Sequence, residues 1–218
     1  MLKINPSSII LTGGDPLCNS PEFYNELLEL GSWNLSFTTN LKDYILNPEK
    51  WIPLFKNKRV GVCTSFQFGS GRKWDNKTTY DVNKFKETFE KFLNDVGYRL
   101  KFISVISEEN ENQALEHIYL AQELSTKCKL NPLMPLGKSS DFFPMYKMIK
   151  IWLDIYQHNL QKWLDCDVQF SHGGCGFNTN LLCKSTIRAL MFDKGKMPIL
   201  TTCEDDLIKS QILDVPIV

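Results

Sequence analysis

Short runs rich in β-branched and aromatic residues recur along this chain, each followed by a longer segment whose apolar residues fall at helical spacing. That alternation restricts the fold more than any other feature, because it is the signature of βα units around a parallel sheet. Predicted strands fall at 8–12, 34–39, 59–65, 99–107 and 130–135. Predicted helices fall between and after them, at 21–30, 48–55, 83–96, 110–127 and 141–163.

The helix boundaries have local causes. Ser20 followed by Pro21 offers a capping hydroxyl and then a proline at the first helical position, and Glu22 and Glu26 suit the positive end of that helix. From Asn83 onward, Phe85, Phe89, Phe92 and Val96 recur every three or four residues and form one apolar stripe for the sheet. The segment from Asp141 carries Met145, Met148, Ile149, Trp152, Ile155 and Tyr156, and is expected to close the α/β layer. His117 reads as a surface residue of its helix and His158 as part of the long one. After Trp163 the composition shifts toward Cys, Gly and Thr, which sets a domain boundary near 163, dividing 1–163 from 164–218. In the second part TIRALMF and MPILTTC flank Asp193-Lys194-Gly195, the pattern of a two-stranded hairpin.

At 218 residues and 43% hydrophobic content the chain can bury one substantial core. Lys plus Arg and Asp plus Glu both total 25, so no global field draws it to nucleic acid or to a membrane surface. Small-molecule or protein partners fit that balance better. The N-terminal apolar run is too short for a secretory signal and ends in a Gly-Gly turn, and no apolar stretch has the length of a membrane span, so a cytoplasmic protein is expected. The 7 cysteines are odd in number and lack the dense spacing of a disulfide scaffold. Reduced thiols, buried apolar cysteines or metal ligands are the expected states.

Ligands of parallel α/β sheets bind beyond the carboxyl ends of the strands, so chemistry is to be sought there. The first predicted strand ends in Thr12-Gly13-Gly14-Asp15-Pro16, the second in Thr38-Thr39-Asn40, the third in Thr64-Ser65 and the fourth in Ser107, while the fifth opens on Leu130-Asn131. Paired glycines let a ligand approach the backbone, and Asp15 adds a carboxylate able to receive an ammonium. The same turn also serves as a plain tight connection.

Taken in order, ILTGGDPL, FTTN, TSFQFGSGR, FISVIS and KLNPL resemble the successive strand ends of a radical S-adenosylmethionine (SAM) enzyme over about residues 5–160. The resemblance implies an incomplete (β/α)6-type partial TIM barrel. It assigns Gly13, Gly14 and Asp15 to the amino group of SAM, with aspartate in place of the family's glutamate shortening the reach by one methylene. Thr64, Ser65 and Arg72 then stand where the family contacts the ribose and carboxylate, Arg72 offering a two-pronged grip on a carboxylate. Arg72 reads equally as a solvated arginine in a Gly-Ser loop. Thr39, Asn40, Ser107 and Asn131 complete the implied cofactor pocket.

The family's Cys-x3-Cys-x2-Cys triad, whose three thiolates leave one iron of a [4Fe–4S] cluster open for SAM, has no counterpart in this sequence. Met1 stands about a dozen residues before the Gly-Gly turn, so the first βα unit is expected to be missing. Cys18 and Cys63 have no third thiol to join them and read as buried small apolar residues. In the tail, Cys166, Cys175, Cys183 and Cys203 resemble the cysteines around the hairpin of a SPASM/twitch-like module. They could hold an auxiliary [4Fe–4S] cluster or a zinc ion, with His172 as a substitute ligand, or stay inert.

Together these implications describe a subunit of a peptide-modifying radical SAM enzyme that binds SAM and a peptide or protein substrate. A second chain carrying the cysteine triad supplies the catalytic cluster, or a homodimer covers the open sheet edge at the first strand. The alternative is an inactive subunit of the same architecture that binds a peptide or protein partner.

Overall fold

The computed structural model describes residues 7–11, 14–69, 80–133, 143–165, 189–191 and 199–201. The chain divides into two units between Asp165 and Cys166, with residues 1–4 counted in the second. The first unit holds a sheet of β1 (Ser8–Leu11), β2 (Asn34–Thr39), β3 (Val60–Ser65), β4 (Lys101–Ile106) and β5 (Cys128–Pro132). All are parallel and stand in sequential order, curling into a half-barrel. The helices are α1 (Pro21–Glu29), α2 (Lys42–Leu46), α3 (Pro48–Phe55), α4 (Val82–Val96), α5 (Ala114–Glu123) and α6 (Met145–Gln157).

A strictly sequential parallel order with right-handed crossovers puts every helix on the same side of the sheet. Strand patterning records this. In β2, Leu35, Phe37 and Thr39 are buried while Asn34, Ser36 and Thr38 are not, and β3 and β4 repeat the alternation. Parallel strands covered on both faces would instead read as unbroken apolar runs. The buried set packs into two aromatic groups. Phe37 meets Tyr24 of α1 at 4.7 Å and Phe55 of α3 at 6.1 Å between ring centroids, and Tyr44 of α2 meets Phe92 of α4 at 5.5 Å. The second group gathers Phe85 of α4 with Phe66 (4.5 Å) and Phe102 of β4 (5.2 Å).

Helix termini account for most differences from the sequence-based boundaries. Ser20 caps α1 through the Phe23 N–H as expected, and Asp81 caps α4 through the Lys84 N–H at 2.8 Å. The end of α5 comes early because Ser125 turns left-handed (φ 50°) and the Thr126 N–H folds back to the Ala121 carbonyl at 2.9 Å. Asn159 (φ 56°) ends α6 the same way, with the Leu160 N–H on the Ile155 carbonyl. Both are left-handed C-caps without glycine. The five-residue α2 has too few turns to show a period in sequence.

Beyond α6 a 3₁₀ turn at Gln161–Trp163 leads to Leu164, which bridges parallel to Cys128, and the Asp165 N–H bonds the Cys128 carbonyl at 2.8 Å. The free side of β5 is therefore paired at its start. In the second unit the described residues are β6 (Ala189–Met191) and β7 (Ile199–Thr201), paired antiparallel. The turn at 193–195 lies outside the described residues. Among the described residues no helix is long and apolar enough to cross a membrane.

Candidate ligand-binding site

At the carboxyl ends of β1 and β2 the chain converges on one carboxylate. Asp15 Oδ1 accepts from the Leu17 N–H (2.9 Å) and the Thr39 hydroxyl (2.7 Å), and its Oδ2 accepts from the Asn40 N–H (2.9 Å). Thr39 Oγ1 in turn accepts the Leu41 N–H at 3.0 Å, and Asn40 Oδ1 accepts the Lys42 N–H at 2.8 Å, starting α2. Leu41 is fully buried and left-handed (φ 61°), a conformation that costs a non-glycine residue about 1–2 kcal/mol. The bond to Thr39 and the burial of its side chain hold it there. Gly14, one residue before the carboxylate, is exposed with φ 53°, and nothing lies within 4 Å of where a Cβ would stand. The space beside the Gly14 α-carbon is therefore open to a small group.

The other strand exits are fixed by side chains that the sequence did not point to. Leaving β3, the Phe66 carbonyl accepts the Ser104 hydroxyl at 2.6 Å, and the Phe68 N–H donates to His117 Nε2 at 3.1 Å. His117 Nδ1 faces the Gln113 carbonyl at 2.8 Å, so the ring is neutral with its proton on Nδ1. Burial pushes its pKa down to about 4. The expectation of a surface histidine was wrong: the ring is completely buried. Its position with Ala114, Ile118 and Ala121 on the apolar stripe of α5 was the available signal. Leaving β4, buried Asn110 accepts the Ser107 N–H (2.9 Å) and donates to the Val105 carbonyl (3.0 Å). At the β5 exit the Leu133 N–H reaches the Ile106 carbonyl at 2.8 Å.

Of the residues singled out in the sequence, Gly14, Asp15, Thr39 and Asn40 are brought together. Ser65 and Asn131 are half-buried at alternate positions to the helix-facing residues, on the sheet face that the described helices leave open, and Ser107 sits in the turn after β4. Thr64 is not brought to that face: it is fully buried on the helix side, and its hydroxyl has no partner among the described residues. Gly13 and Arg72, as well as Cys166, Cys175, Cys183, Cys203 and His172, lie outside the described residues.

Three thiols can be placed. Cys18 is exposed, Cys63 half-buried and Cys128 buried, none in a disulfide. Burial, with Asp165 adding to it, pushes Cys63 up to about 12, and burial raises Cys128 as well, so both stay protonated near neutral pH. Among the described residues no three His, Cys, Asp or Glu side chains group as metal ligands would. The chain matches no known protein-family model and no curated protein.

Proposed function

We propose that the first unit is the SAM-binding part of a radical SAM-type partial barrel, acting on a peptide or protein substrate with a partner chain that supplies the catalytic [4Fe–4S] cluster. The observation that carries this reading is the convergence of Gly14, Asp15, Thr39 and Asn40 at the carboxyl ends of adjacent parallel strands. The residues fit an amino group there. Asp15 has about four acceptor positions, three of them used among the described residues, so that one on Oδ2 suits an ammonium beside Gly14. The described residues do not fit the cluster itself, since no three His, Cys, Asp or Glu side chains among them group as its ligands would. An auxiliary [4Fe–4S] cluster or zinc on Cys166, Cys175, Cys183 and Cys203 belongs to the same proposal.

The partner would cover the edge of β1, which pairs on one side only among the described residues and leaves Ile10 67% exposed. A second copy of the chain at this edge is the other form of that contact. One observation favours the alternative of an inactive binding subunit: the carboxylate meant for the ligand already ties β1 to β2.

The test is calorimetric titration of the purified full chain with SAM, followed by assay for 5′-deoxyadenosine with a chain that carries the cysteine triad. Saturable SAM binding, and cleavage only in the mixture, are the expected results. No SAM binding by the chain alone or in the mixture would leave the inactive binding subunit as the reading.

A further inference from the structure

The sheet face that the described helices leave open carries a group of charges that the strand exits do not use. Cys63 in β3 stands in register with Lys101 in β4, and Lys129 of β5 stands in register with Ile103 of β4. Because Leu164 bridges to Cys128, the next residue, Asp165, falls beside Lys129 on this same face. Asp165 Oδ2 lies 3.0 Å from Lys101 Nζ and takes its charge. Lys129 is half-buried and makes no ion pair with any described residue. Among the described residues two lysines and one carboxylate thus share this stretch of the sheet.

Among the described residues, the surroundings add no second negative charge. Cys63, which feels Lys101, Lys129 and Asp165 together, keeps its proton and is neutral. Asn131, two residues along β5, points to the same face with a polar amide, and Ile103 supplies half-buried apolar surface beside Lys129. A lysine partly withdrawn from water without a counter-charge is destabilising, and an anion placed against it offsets that cost. Lysine presents a compact charge with three donors, which suits an oxyanion without requiring a fixed planar geometry.

We propose that Lys129, with Lys101 as the second cation, forms a subsite on this face of the sheet for the carboxylate or phosphate group of a bound small molecule. The subsite lies within the strands, away from the Asp15 node at the β1 and β2 exits, and it does not depend on the SAM reading. Its ligand carries one anionic head, matched by the one ammonium here without an ion pair among the described residues, and an apolar portion against Ile103.

The test is an NMR titration of the full chain, isotope-labelled at lysine, with inorganic phosphate and, separately, with acetate, at ionic strength held constant by chloride. Saturable shifts at Lys129 and Lys101 are expected, with none at Lys84 on the exposed side of α4. The stronger of the two probes identifies the head group. Lys129→Gln should weaken the stronger probe by about tenfold or more and Lys129→Arg should retain it, as expected for loss and retention of one charge-assisted contact. Shifts spread equally over Lys84 and Lys129, no saturation with either probe, or unchanged binding in Lys129→Gln would each overturn the subsite. The wild-type shifts decide the matter even if a variant does not fold.

Discussion

Replacing Asp15 with alanine removes three hydrogen bonds at once, and the structure sets the size of the effect. One is the cap of the 3₁₀ turn at Pro16–Cys18, through the Leu17 N–H; the other two join the β1 exit to Thr39 and Asn40. A lost cap costs about 1 kcal/mol, and a hydrogen bond to a charged acceptor about 1.5–3 kcal/mol. Asp15 is half-buried, so water replaces part of what is lost, and a total of about 3 kcal/mol is expected. For a chain of this size that corresponds to a melting midpoint lower by roughly 6–12 °C. Asp15→Asn keeps one acceptor for Leu17 and Thr39 but turns an N–H toward the Asn40 N–H, and should fall between wild type and alanine. Urea unfolding followed by tryptophan fluorescence measures both. A loss under about 1 kcal/mol, or a gain in stability, would show that the carboxylate is held for a ligand and not as a tie between strands.

Two further outcomes are expected. His117 has a folded pKa of about 4 against an unfolded value near 6.5, so the unfolded chain binds the extra proton first. Its contribution, about 3 kcal/mol, is fully present above pH 6.5 and is lost as pH falls toward 4, and His117→Gln should flatten urea midpoints between pH 7 and 5. Ile10→Lys on the open β1 should leave the unfolding midpoint within about 0.5 kcal/mol, because the side chain is exposed, while weakening self-association or partner capture in sedimentation. Unchanged association would place the partner elsewhere.

The sheet was legible because each strand carries enough β-branched and aromatic residues to stand out between helical periods, and β2 and α3 match their predicted bounds. Less legible was what a period cannot carry. Ser125 and Asn159 end their helices in a left-handed turn without the glycine that announces one. The placement of Asp15, Thr39 and Asn40 at strand exits could be anticipated, but not that they bond to one another, since register between distant segments is set by packing. Thr39 and Thr64 look alike in sequence, each near a strand end, yet one is bonded and the other has a buried hydroxyl without a partner among the described residues. His117 and Lys129 were missed for opposite reasons. The first is a polar residue on an apolar stripe, and the second a charged residue whose exposure depends on which sheet face the helices leave open.

The sequential strand order bears on how the molecule forms. Each strand docks on the one made just before it, so every β pairing in the first unit closes a loop of only a few tens of residues. Assembly can then proceed from the amino terminus as the ribosome releases each βα step, without waiting for a distant partner strand. Besides the fixed edge of β1, the growing rim is the newest strand, so a second exposed template for mispairing moves along the nascent polypeptide.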